Sequence, residues 1–240
     1  MTRLPRLLAL ASALTGASAA QAADFNALEL LNQQEFRLLA EDLSAATSFK
    51  PLIPSEGLGI TGFDIGISAG ATMLQNRDVL SKAAGGASLP KALPLVGVRV
   101  HKGLPFDIDL GASLATLPGT NARMSGGELR WAVVSGGAIM PAVALRASVS
   151  SVSGVDELKL RTTGFDVSIS KGFLMLTPYA GVGTVSTKAS APGTSLGQEK
   201  FTKTKVFAGA NFNLGLMNLA VETDKTGDAT SYGLKLGLRF

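Results

Sequence analysis

The sequence predicts an all-β chain: a closed antiparallel transmembrane β-barrel of about 10 strands (range 8–12) behind an N-terminal amphipathic helix. Three observations predict it. Segment after segment places apolar residues at every second position, which gives a strand one greasy face and one polar or empty face. The chain is 46% hydrophobic with a mean hydropathy of +0.29, yet no stretch beyond its leader approaches the ~20 apolar residues of a spanning helix. Tight and long connections also tend to alternate, as they do when hairpin turns face one side of a membrane and loops the other.

At the N-terminus, residues 1–22 combine Arg3 and Arg6, an apolar run from Leu7 to Leu14 and the closing Ala20-Gln21-Ala22. A basic start, a short apolar core and an A-x-A site describe a secretory signal peptide, so the mature chain is expected from about Ala23. Residues 23–56 form the next unit, a helix and linker. In DFNALELLNQQEFRLLAEDLSAATSF, Leu28, Leu31, Phe36, Leu38, Leu39 and Leu43 fall within about half the circumference of a 3.6-period helix. The spacing predicts a helix over 24–46 with Asp24 as its N-cap. Glu29, Glu35, Glu41 and Asp42 outweigh Arg37, which argues against docking on an anionic membrane surface. The helix is expected to plug the barrel or cover its mouth; a periplasmic helix that binds a partner is the alternative. Pro51 and Pro54 mark the linker.

Residues 57–240 carry the barrel. Phe63, Ile65, Ile67, Ala69 and Ala71 share one face against Asp64, Gly66, Ser68, Gly70 and Thr72. The same alternation places Val96, Val98 and Val100 against Arg99 and His101, and Phe106, Ile108, Leu110 and Leu114 against Asp107 and Asp109. Leu129, Trp131 and Val133 oppose Glu128 and Arg130; Val143, Leu145 and Val149 oppose Arg146. Phe165, Val167 and Ile169 oppose Asp166, and Leu174, Leu176, Ala180 and Val182 oppose Tyr179. Val206, Ala208, Ala210 and Phe212 oppose Lys205 and Asn211; Leu219 and Val221 oppose Glu222. Leu158 and Leu160 are out of phase with Phe165, so a bulge is expected near Thr162. An even strand count returns both ends of the barrel to one side, taken as periplasmic. Phe63, Phe106, Trp131, Phe212 and Phe240 then form an interfacial girdle near that side.

The opposite faces would line the lumen with Asp64, Arg99, Asp107, Asp109, Glu128, Arg130, Arg146, Asp166, Lys203, Lys205, Glu222, Lys235 and Arg239. Signs are nearly balanced. A barrel of this size has an interior only a little wider than side chains fill, so pairing of these charges would tend to close it. Inward glycines, among them Gly66, Gly97, Gly111, Gly181, Gly209 and Gly233, leave space for something else.

The closing segment SYGLKLGLRF aligns Tyr232, Leu234, Leu236, Leu238 and Phe240 on one face. It resembles the C-terminal strand of Gram-negative outer-membrane β-barrel proteins. That resemblance implies recognition of these residues by the barrel-assembly machinery, residence in the outer membrane after export, and outer-membrane lipid and lipopolysaccharide as surroundings.

Composition excludes several classes of function. Without cysteine there is neither a disulfide framework nor a thiolate metal site. The net charge of +4 includes Arg3 and Arg6, and no Lys/Arg run follows, so nucleic acid is not an expected partner. No metal-ligand, phosphate-loop or nucleophile motif is present, and no cofactor is expected. The lone His101 falls at the turn end of its strand, the wrong end for an outer-leaflet hydrolase, and no catalytic residue is assigned. The expected function is narrow passage of a small solute, gated or plugged by the N-terminal helix. A closed structural or adhesive barrel acting through loops 75–92 and 188–200 is the alternative, and an outer-membrane enzyme comes third. Oligomeric state is not legible, because a lipid-facing apolar surface masks subunit contacts.

Overall fold

The computed structural model describes residues 25–240; the signal peptide and the Asp24 cap lie outside them. Strands β1 (Phe63–Met73), β2 (Ala92–Leu104), β3 (Ile108–Thr116), β4 (Arg123–Val134) and β5 (Ala142–Ser153) are followed by β6 (Lys159–Ser170), β7 (Leu176–Ser190), β8 (Glu199–Leu214), β9 (Met217–Thr226) and β10 (Ala229–Arg239). Each pairs antiparallel with its sequence neighbours, and β1 pairs with β10, so the sheet is a closed barrel. Closure leaves no edge whose backbone groups would go unpaired. The ladder leaving Ile65 through β2 arrives on β8 at Thr202, whereas the one leaving through β10 arrives at Leu214. A stagger of roughly a dozen residues tilts the strands about 40° from the barrel axis.

Alternation decides which side chains face out. Ile67, Val98, Leu114, Leu236 and Leu238 are exposed, while Asp64, Arg99, Arg130, Arg146 and Lys235 are buried. This inverts the arrangement of a water-soluble protein and suits a hydrocarbon surround. On β8 the outward apolar run extends from Val206 to Leu214 and on β10 from Tyr232 to Phe240, about the 9 residues a tilted strand needs to cross a bilayer.

The two mouths differ. One carries the start of β1, the end of β10 and the turns 105–107, 135–141, 171–175 and 215–216. The other carries 74–91, 117–122, 154–158, 191–198 and 227–228. The predicted alternation of lengths rests mainly on 74–91, which contains helix α2 (Arg77–Ala83). Elsewhere it fails: 135–141 is longer than 117–122 on the opposite side, and Gly227 lets β9 turn into β10 within a two-residue hairpin at φ 59°. Phe106 and Asp107 belong to a 3-10 turn with φ of 66° and 56°, not to β3 as the alternation suggested. Phe63 and Phe240 meet beside the turn mouth with ring centroids 5.6 Å apart.

Inside the long-loop half sits helix α1 (Gln33–Thr47), preceded by a 3-10 turn at Leu28–Leu30. It starts later than the periodicity predicted because Asn32 and Glu35 form a capping box, each side chain accepting from the other's backbone N–H at 2.9 Å. Phe36, Leu39 and Leu43, with Leu28 and Leu31 ahead of them, form one apolar cluster with Leu93, Leu117, Leu160, Ala189 and Phe201 of the wall and Leu80 of α2. Each such side chain contributes roughly 1.5–3 kcal/mol on burial. The helix also explains the apparent phase error in β6. Leu158 and Leu160 point inward onto this cluster, and β6 pairs without a bulge. The register shift in these ladders falls instead between Ala132 and Val134, where β4 meets β5.

Candidate functional site

The site is the lumen itself, and it is occupied. Pro51 and Pro54 keep residues 50–54 from continuing the helix, and the chain leaving α1 passes onward through the barrel. At the long-loop mouth Gln33 exchanges hydrogen bonds with Gly197, donating to its carbonyl at 3.2 Å and accepting from its N–H at 2.8 Å. Lys82 on α2 meets Glu35 at 2.8 Å, Arg37 meets Glu199 at 3.1 Å, and Lys203 meets Glu41 at 2.9 Å. The buried Asp42 carboxylate accepts from the Gln75 and Asn76 amides at 3.0 and 2.7 Å, tying loop 74–91 to the helix. Lower down, Ser44 pairs with Thr187, and Ser150 donates to the Thr47 carbonyl.

Residues 49–58 then meet the lumen charges one after another. Lys205 donates to the Phe49 carbonyl at 2.5 Å and Arg99 to that of Lys50. Lys50 pairs with Asp224 at 2.8 Å, and the Leu52 amide donates to Glu222 at 2.8 Å. Arg130 donates to the Pro54 carbonyl, Ser55 donates to Ser168 and Ser170, and the Leu58 amide donates to Asp109 at 3.1 Å. The segment thus crosses the barrel from the long-loop mouth to the turn mouth. Leu52 sits in the left-handed region at φ 50°, which costs a residue with a Cβ of order 1 kcal/mol or more and is held by the Glu222 bond.

The lumen charges also pair with each other, including some that hold the segment. Asp64 meets Lys235 at 2.6 Å and Asp109 meets Arg130 at 2.5 Å. Glu128 bridges His101 and Arg146, both at 2.7 Å, and Arg146 continues to Asp166 at 3.2 Å. Tyr179 donates to Glu222 at 2.9 Å. Arg239 is half-buried near the turn mouth, directly across the ladder from Asp64. Asp107 does not line the lumen. It is exposed in the 105–107 turn, where its carboxylate accepts from Ser135. Its assignment failed because alternation runs unbroken through a turn that reverses the chain.

The inward glycines make room for side chains and for the segment. A Cβ at Gly181 would lie 2.3 Å from Phe207, one at Gly209 2.5 Å from the Tyr179 hydroxyl, and one at Gly233 3.0 Å from Leu52. Cavities beside the segment include one of about 50 Å³ at Lys50, Arg99 and Ser113 and one of about 10 Å³ at Phe49 and Lys205. His101 is fully buried against Glu128. Among the described residues no group of three His, Asp or Glu side chains is placed to hold a metal.

On α1, outside the membrane-spanning strands, carboxyl groups shift in both directions. The Lys82 ammonium and the Asn32 amide hold Glu35 below the ordinary carboxylate range. Burial pushes Glu41 up, but Lys203 and Arg37 outweigh it and the result is lowered. Burial raises Asp42 against its two amide donors.

The sequence reads residues 48–56 as the linker of a possible plug, but their own passage through the lumen is not legible in it. Their one sequence signal is the proline pair, which reads equally well as an ordinary linker.

No protein-family model matches the chain, and no curated protein matches it in sequence. Among solved structures it is similar to the N-terminal β-barrel domain of Pseudomonas aeruginosa OprF, at 14% identity over 76% of this chain and 99% of that one, TM-score 0.39. It is similar to the outer membrane protein OprG of the same organism at 12% identity over 78% and 99%, TM-score 0.36. Neisserial surface protein A matches at 11% identity over 74% and 94%, TM-score 0.32.

Proposed function

We propose that this chain is an outer-membrane barrel sealed by its own residues 33–62, acting at its long-loop face rather than as an open conduit. The apolar belt and the buried charged interior support residence in a membrane. The leader expected at residues 1–22 and the long 74–91 loop at the opposite mouth support a periplasmic position for the mouth shared by β1 and β10, and the β10 face from Tyr232 to Phe240 then serves as the assembly signal. The observation that carries the sealed reading is the engagement of Lys205, Arg99, Arg130, Glu222 and Asp109 with the backbone of residues 49–58. Groups that would select a solute in an open pore are consumed in holding the segment. A lumen filled by its own segment supports a structural or adhesive role at the cell surface, carried by the loops.

Gated passage is the second reading. It draws on the Glu35–Lys82 pair, which is partly exposed and therefore a weak tie between α1 and loop 74–91.

Planar-bilayer recording of the refolded chain tests both. The full-length protein is expected to give no conductance steps, and a variant lacking residues 25–56 to give steady ones. Stable steps from the full-length protein would refute the sealed reading and favour gating.

A further inference from the structure

The outer wall of β6, β7 and β8 is layered in register. Val167, Val182 and Val206 form one outward rung, and Thr163, Ser186 and Thr202 form a later one toward the long-loop mouth. Between them Phe165 stands beside Thr184 and Thr204. Beyond the hydroxyls come Arg161, Lys188 and Lys200, directly opposite one another on adjacent strands and all exposed. Facing residues in a ladder have Cβ atoms about 5 Å apart, and like charges there repel. None of the ion pairs among the described residues includes any of the three. Glu199, next in sequence to Lys200, is turned inward onto Arg37. The wall therefore concentrates positive charge without a protein counter-ion.

We propose that Arg161, Lys188 and Lys200 bind the anionic head group of lipopolysaccharide, an inference that rests on the outer-membrane reading above. Height selects this occupant. The cationic rung lies about 20 Å along the strands from the valine rung, or about 15 Å above it once the tilt is allowed for. A glycerophospholipid carries its phosphate at the edge of the hydrocarbon. A glycolipid with phosphorylated sugars carries anionic groups farther out, with sugar hydroxyls between. The intervening Thr163, Ser186 and Thr202 match that sugar layer. Ser186 and Thr202 are already hydrogen-bonded to each other at 2.9 Å and keep lone pairs for a further donor.

The test compares the full chain in neutral detergent with a variant carrying Arg161→Gln, Lys188→Gln and Lys200→Gln, titrated with purified lipopolysaccharide. All three side chains face outward, so the variant should keep its heat-modifiable gel migration. With about fivefold per cationic side chain near an anionic surface, affinity is expected to fall roughly a hundredfold, and its salt dependence to flatten. Unchanged affinity in the variant would overturn the proposal. So would wild-type binding that survives removal of the glycolipid phosphates, equal losses with phosphatidylglycerol vesicles, or full competition by millimolar inorganic phosphate. Sedimentation of the native protein with outer-membrane fractions tests the underlying location separately.

Discussion

Arg146 illustrates how the lumen charges behave singly. It is almost fully buried and joins two carboxylates, Glu128 and Asp166. Replacing it with methionine removes the cation that joins both carboxylates, a change expected to cost about 3–5 kcal/mol. The temperature at which the folded gel form is lost should drop in Arg146→Met and recover in part when Glu128→Gln is added. The inward face of these residues was readable from alternation. Their partners were not, because Asp109 meets Arg130 only once β3 and β4 have taken their register, and Asp64 meets Lys235 only across the closing seam. Asp107 marks the opposite limit. Its neighbours continue the pattern of a strand, and only the positive φ at Phe106 and Asp107 reveals that the chain has turned.

Among the elements, α1 is held by groups whose protonation matters. Glu35 and Glu41 have lowered pKa values in the folded chain. Their support is complete above the ordinary carboxylate range and is lost as pH falls through the lowered values. Asp42 is raised, so its contribution has the opposite sign: it strengthens on acidification and offsets part of that loss. The net expectation is that loop 74–91 becomes more sensitive to an acid-stable protease as pH falls below about 4. Lys82→Gln with Lys203→Gln should flatten that pH dependence; an unchanged profile in the double variant would contradict the assignment. The existence of this helix was legible from its leucines. Its start was not, since the apolar period runs back to Leu28 whereas the Asn32–Glu35 capping box fixes the first turn.

For the whole molecule, strand parity correctly brought the ends of the barrel to one mouth but said nothing of residues 25–62. A segment that crosses the lumen adds a pass that no count of strands includes. In the orientation proposed, residue 26 therefore stands outside the cell. Asn26 is exposed and the chain has no cysteine of its own. An Asn26→Cys variant is expected to react with a membrane-impermeant maleimide in intact cells, while Gly137→Cys in the opposite mouth reacts only after the envelope is broken. Labelling in the reverse order would invert the topology. The crossing segment also sets the sequence of events by which the molecule is made. A helix is about 10–12 Å across with its side chains, and below α1 the lumen is crossed by a layer of arginines and carboxylates bonded to the segment and to each other. Drawing Phe36, Leu39 and Leu43 through that layer after the wall had shut would break its ion pairs and strip the apolar cluster. The order expected is that the segment is laid down first, as a mandrel, and the last ladder between β1 and β10 wound closed around it.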